Sequence, residues 1–222
     1  LLRGEAVWSM TVMFLSLWDY VRGVEDNFND FRPTEPATGG KGFVQPYTDS
    51  PLDEERVADA VYMNLISRAN RYIHIMTPYL VIDYAMTQAL TNAAKAGVEV
   101  VIETPHIPDK WYVHAVTRAH YEDLVKGGVK IYEYTPGFLH SKVFSVDGEF
   151  ATVGTVNLDF RSLYLHFENG VFLYRADCVE AVERDFQETM AKSQEITLQD
   201  CQATKLPTRV GRALLRLLAP LM

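Results

Sequence analysis

Between residues 72 and 134 short apolar runs alternate with helical stretches, and this restricts the fold more than any other feature of the chain. Tyr72–Met76, Val98–Glu103 and Val129–Tyr134 read as strands, while 84–96 and 110–126 carry helical periodicity. Gly97 and Gly127 stand where helix C-caps belong, and Asp109 where an N-cap belongs. This order predicts an α/β architecture, a largely parallel sheet covered by helices.

The flanks read differently. Residues 1–22 form an amphipathic helix, and 23–50 a connector in which Pro33, Pro36, Pro46 and Gly39-Gly40 break any hydrophobic period. Ser50, Pro51 and Asp53 look like an N-cap, an N1 proline and a capping-box acid, so a helix is expected from about 51 to 69. Beyond 134 come a hairpin (139–146 and 149–156), a strand Gly170–Tyr174 and a helix opened by Asp177 with Glu180 three residues on. In 201–222 acids are absent, and Lys205, Arg209, Arg212 and Arg216 accompany Leu214, Leu215, Leu217, Leu218 and Leu221. This basic amphipathic helix has two readings: it lies on an anionic membrane, or it docks on its own domain.

Composition narrows the function. A formal net charge of −8 argues against a general nucleic-acid partner, because duplex affinity rests on Lys and Arg neutralising phosphates. The longest uncharged apolar run, Ala6 to Trp18, has thirteen residues, short of the ~20 that a membrane-spanning helix needs. Cys178 and Cys201 stand far apart in no ligand spacing, which fits a reducing compartment.

The chemistry concentrates in one stretch. His140 and Lys142 are two apart on an expected strand and share a face. Asp147-Gly148 favours a two-residue type I′ turn, pairing Val146 with Glu149 and placing His140 opposite Thr155. Asn157 then opposes Phe138 on the same face, diagonal to His140 at roughly 7–8 Å. A histidine, a lysine and an amide so grouped suit attack on a phosphoryl centre: imidazole as nucleophile or proton carrier, Lys and Asn as donors to the non-bridging oxygens. Such a site calls for no metal and no cofactor.

His140-Ser141-Lys142, then Asp147, then Gly154-Thr155-Val156-Asn157, resemble the HKD motif of the phospholipase D superfamily. Around it Thr77-Pro-Tyr-Leu, Pro105-His-Ile-Pro-Asp-Lys, Ile131-Tyr-Glu-Tyr-Thr-Pro-Gly-Phe-Leu-His and Phe160-Arg-Ser-Leu-Tyr resemble the bacterial cardiolipin synthases, over residues 40 to 222. The resemblance implies a mixed β-sheet flanked by α-helices and two HKD motifs meeting across a pseudo-twofold cleft. One histidine forms a phosphohistidine and the other protonates the leaving alcohol. With one motif present, 51–200 resembles the second catalytic half and 1–22 the end of a preceding one. The missing motif would come from an N-terminal half or a second copy in a homodimer. Glu168, 28 residues after His140, is implied to hold the imidazole; Asp147, at the turn, reads as structural.

The implied reaction converts two phosphatidylglycerols to cardiolipin and glycerol at a bacterial cell membrane. The rivals are a phospholipase D-type hydrolase or nuclease, a phosphatidylserine-synthase-like transferase, and a non-catalytic membrane-binding half. Asp109 and Lys110, after a parallel strand, are candidates for a lipid headgroup, and Trp111, Tyr112, Phe138 and Leu139 for an apolar wall. His106, His114 and His120 fit no metal spacing and read as surface or satisfied polar positions, and His74 and His166 as structural.

Overall fold

The computed structural model describes residues 1–34 and 39–219; Pro36 of the connector and Leu221 of the C-terminal segment lie outside the described residues. The strands β1 (Phe43–Asp49), β2 (Tyr72–Met76), β3 (Glu99–Pro105), β4 (Lys130–Tyr134), β5 (Val143–Val146), β6 (Phe150–Gly154), β7 (Glu168–Tyr174) and β8 (Ser193–Ile196) form one sheet in the order β1-β7-β6-β5-β2-β3-β4-β8. β2, β3 and β4 run parallel, and the remaining pairs are antiparallel. The helices are α1 (Glu5–Arg22), α2 (Val57–Arg68), α3 (Tyr84–Lys95), α4 (Trp111–Lys126), α5 (Phe160–Tyr164), α6 (Val179–Met190), α7 (Leu198–Ala203) and α8 (Leu206–Arg216). The class is α/β with a mixed sheet between helices.

Alternation along β3 shows why both faces are covered. Val100 and Ile102 join Leu65, Leu90, Tyr121 and Leu124 of α2, α3 and α4, whereas Val101 points the other way onto Phe186 of α6. Each such apolar side chain contributes ~1.5–3 kcal/mol by leaving water, enough to hold a central strand between two layers. Gly154 and Gly170 are paired where β6 meets β7. A Cβ on Gly154 would collide with the Asn169 carbonyl, and one on Gly170 with the Tyr47 ring. Glycine is required at both by close approach.

Local expectations failed where tertiary contacts displaced them. The helix expected from 51 begins at Val57, because Asp49 at the end of β1 accepts from the Ala58 N–H at 2.8 Å while Ser50 and Asp53 close small turns onto Leu52 and Glu55. The connector 23–50 contains β1, an edge strand that tolerates Pro46. Asp109 caps nothing; its carboxylate accepts from Tyr79, and Lys110 occupies the N-cap of α4. By contrast Gly127 is the C-cap of α4 as expected, in right-handed geometry, with the positive φ on Gly128. Asp177 accepts from Lys41 N–H instead of capping α6. Finally, α8 docks on its own domain through Leu215, packed with Val113 and Val116.

Candidate active site

The edge where parallel strands β2 and β3 end is also where β5 begins, β6 ends and β7 begins, so several side chains converge there. The hairpin supplying most of them differs in register from expectation. Val146 pairs with Phe150 instead of Glu149, leaving Asp147, Gly148 and Glu149 in the turn with φ of 57° and 71° at the first two. Glu149 leaves the ladder because its carbonyl accepts from Arg175 N–H at 2.7 Å. A one-residue slip reverses the face of every partner, so the ladder does not set His140 opposite Thr155 or Asn157 opposite Phe138. β5 starts only at Val143, and His140 and Lys142 lie in the chain leading into it.

Contacts outside the ladder hold these side chains. Lys142 Nζ donates to the His140 carbonyl at 2.7 Å, and the His140 ring lies 5.5 Å from that of Phe138. Burial, then the Lys142 charge, pull His140 below the ordinary histidine range, with Asp109 opposing. Burial likewise lowers Lys142, against the pull of Glu168 and Asp159. Asn157 Nδ2 donates to Ser162 Oγ at 2.9 Å, while its own carbonyl oxygen is buried without a partner. Asp159 caps α5 by accepting from Ser162 N–H at 2.8 Å. The peptide carrying Asn157 is held by Tyr62, donating to the Val156 carbonyl at 2.7 Å, and by Thr77, accepting from Leu158 N–H at 3.2 Å.

Glu168 departs from expectation. Among the described residues it has no hydrogen bond to His140; its carboxylate accepts from Thr155 Oγ1 and faces His166 Nδ1 at 3.5 Å. His166 Nε2 accepts from Arg161 Nε at 3.1 Å, which leaves the proton on Nδ1, toward Glu168. The acid is thus fixed by Thr155 and His166. Thr155 also closes the β6–β7 corner, with its N–H donating to the Asn169 carbonyl at 2.9 Å. Asp147 points away from this edge and accepts from the N–H groups of Asn70, Arg71 and Tyr72 at 2.7, 2.9 and 2.8 Å.

Asp109 and Lys110 form an exposed rim: Tyr79 donates to Asp109 at 2.6 Å, and Lys110 lies over the Tyr79 ring. Trp111 is 72% exposed, with its ring edge-on to that of Tyr112, and Leu139 is buried. His106 donates to buried Glu133, which also receives a fork from Arg118. His74 is stacked between Tyr72 and Phe186 and bonded to Glu183. His120 is neither surface nor satisfied: both ring nitrogens are buried without partners, and burial lowers it to about 4. Asp159, Ser162 and Tyr79 were missed by sequence reasoning. His166 carried a signal, since it stands two residues before Glu168, a spacing that can return to one side of an extended chain.

The fold is that of a phospholipase D-like α/β domain. The family model described as "Cardiolipin synthase, PLD-like domain" matches residues 62–190, and the chain belongs to that family. It is 42% identical over all of its length to an uncharacterized protein of Streptococcus mutans, covering 48% of that protein. It is also 38% identical over all of its length to a cardiolipin synthase of Geobacillus kaustophilus, covering 44% of it. The chain therefore spans about half the length of the curated relatives it matches. Among solved structures, Nuc of Salmonella typhimurium, a phospholipase D family member, shares the fold with TM-score 0.60 and 19% identity over 71% of this chain and 99% of that one. The phosphatidylserine synthase of Haemophilus influenzae shares it with TM-score 0.64 and 14% identity, over 81% of this chain and 48% of that one.

Proposed function

We propose that the chain is the second HKD half-site of a cardiolipin-synthase-type phosphatidyltransferase that joins two phosphatidylglycerols and releases glycerol. The reading is supported by the position of His140 and Lys142 just before β5 and of Asn157 just after the paired end of β6, on one edge of the sheet, in a chain 38% identical along its whole length to a cardiolipin synthase. One of the two histidines attacks phosphorus: an N–P bond forms, the P–O bond to glycerol breaks, and the other histidine gives glycerol its proton. A hydroxyl of the second phosphatidylglycerol then attacks phosphorus, the N–P bond breaks, and the hydroxyl proton returns to the waiting histidine. Lys142 and Asn157 serve the non-bridging oxygens. His140 fits either role, and its partner comes from an N-terminal half or from a second copy.

The purified protein in phosphatidylglycerol micelles is expected to release glycerol and cardiolipin in equal amounts. Phosphatidic acid without cardiolipin would assign the site to hydrolysis and overturn transfer. Lys142→Met is expected to cut turnover by about 10²–10³, as loss of one donor to a developing oxyanion does; an unchanged rate would reject its role.

A lipid substrate needs an approach to the bilayer. No helix among the described residues is long and apolar enough to cross one. On α8 and in the turn that follows it, Leu206, Val210, Leu214, Leu217 and Leu218 are exposed while Leu215 is packed inward, and Leu217 is 76% exposed. This apolar stripe suits the interfacial region of a phospholipid bilayer. Val210→Ser, Leu214→Ser and Leu217→Ser together are expected to weaken binding to phosphatidylglycerol vesicles at least about tenfold while leaving the docked face intact. Undiminished binding would remove α8 from the contact.

A further inference from the structure

The charged flank of α8 is turned inward and shares Leu206 and Val210 with the apolar stripe. Arg209 donates to Glu122 at 2.9 Å and Arg216 to Asp123 at 3.0 Å, and between α4, α7, α8 and β8 a groove of about 730 Å³ remains. This is the size of a small-molecule site, and none of its lining residues belongs to the edge that carries His140.

Four arginines (Arg118, Arg209, Arg212 and Arg216) and four acids (Glu122, Asp123, Glu195 and Asp200) line the groove, but their pairing leaves one cation over. Glu122 is taken by Arg209 and Lys126, Asp123 by Arg216, and Asp200 by Thr197, whose N–H and Oγ1 both donate to it. Glu195, at the β8 end, lies against Tyr132 and Lys130. Arg118 has turned its fork onto Glu133. Arg212 is left. It is half-buried, lines the groove, and among the described residues makes no hydrogen bond or ion pair. Burial and then the charge of Arg118 disfavour its cation, against the pull of Tyr121, Glu133 and Cys201. Leaving a guanidinium partly desolvated beside a second cation is costly unless an anion completes the set. Its planar fork matches two oxygens of a phosphate better than a point acceptor.

We propose that this groove binds a phosphate ester, with Arg212 making a bidentate contact and Arg118 adding positive charge from behind. The ester belongs to a soluble molecule or to a lipid headgroup; both present the same anionic oxygens. Nothing in this inference depends on the reaction proposed for His140.

Two free cysteines supply the readout. Cys201 lines the groove, and Cys178 is exposed outside it. The rate of maleimide labelling is measured at each thiol in the intact protein, with glycerol 3-phosphate in one arm and phosphatidylglycerol vesicles in the other, each against sodium chloride at matched ionic strength. Cys201 is expected to be protected at least about fivefold in one or both arms, with Cys178 unchanged, and the arm that protects names the source of the phosphate. Arg212→Gln is expected to abolish the protection while Cys178 labelling and far-ultraviolet dichroism stay as in the parent. Arg212→Lys, which keeps the charge without the fork, is expected to weaken it about tenfold. Equal labelling of Cys201 in every arm would overturn the site, as would protection matched by sodium chloride or surviving Arg212→Gln.

Discussion

Replacing His140 by Ala is expected to cut cardiolipin formation by at least about 10³-fold, because the step it serves, N–P bond formation or proton transfer, has no substitute among its neighbours. The His140 side chain is exposed and makes no hydrogen bond among the described residues, so folding and vesicle binding should be those of the parent. A loss of vesicle binding matching the loss of turnover would instead mean damage to the fold. The pH profile adds a second constraint. Burial and then Lys142 lower the His140 pKa, so its neutral form persists below the ordinary histidine range. If His140 acts as nucleophile or base, the acid limb of the rate profile therefore lies at lower pH than for a free imidazole. Removing the Lys142 charge raises the His140 pKa, so the residual activity of Lys142→Met should show that limb displaced to higher pH. An undisplaced limb would separate His140 from the ionisation that controls the rate.

The second large effect concerns stability. Glu103 is fully buried on β3, on the face that also carries Val101, and both carboxylate oxygens lack a partner. Burial, with Asp185 adding to it, raises its pKa to about 8. A carboxyl raised in the folded state keeps its proton there and loses it near 4.5 when unfolded. Its contribution is most favourable below 4.5 and declines as pH rises toward 8. At pH 7 the difference amounts to about 3 kcal/mol. Glu103→Gln removes the ionisation while keeping the shape, so it is expected to stabilise the protein by up to about 3 kcal/mol at pH 7 and by almost nothing at pH 4. Urea unfolding at the two pH values checks this, and an equal effect at both would contradict a proton held by Glu103.

The interior of the fold was legible and its borders were not. β2 matches its apolar run, and β3, β4, α3 and α4 lie within a residue or so of their patterns, because buried strands and amphipathic helices write their environment into hydrophobic order. β1 and β8 sit at the two edges of the sheet, where one side of the strand lacks a partner. Proline and polar residues are tolerated there, so Phe43–Asp49 looked like connector and Ser193–Ile196 carried no strand signal. The residues of the site were readable as a motif, but their mutual geometry was not. A single hydrogen bond from Arg175 to the Glu149 carbonyl accompanies a shift of the hairpin by one residue. The placement of Glu168 between Thr155 and His166 comes from the β6–β7 corner, which is built by contacts distant in sequence. Cap signals failed for the same reason: Asp109 and Asp177 found stronger uses in Tyr79 and Lys41.

The strand order also sets a timetable for assembly. Among the described residues β1 pairs with β7 alone, and β2, beside β3 on one side, gains its second neighbour from β5, about seventy residues later in the chain. Closing such distant pairs costs chain entropy before any contact returns it, so local elements form early and these pairings form late. During synthesis the strand nearest the start remains an open edge until Glu168–Tyr174 has emerged, and a product cut short before that point holds β1 without a neighbour. The corner that positions Thr155 and Glu168 is thus among the last parts of the molecule to close.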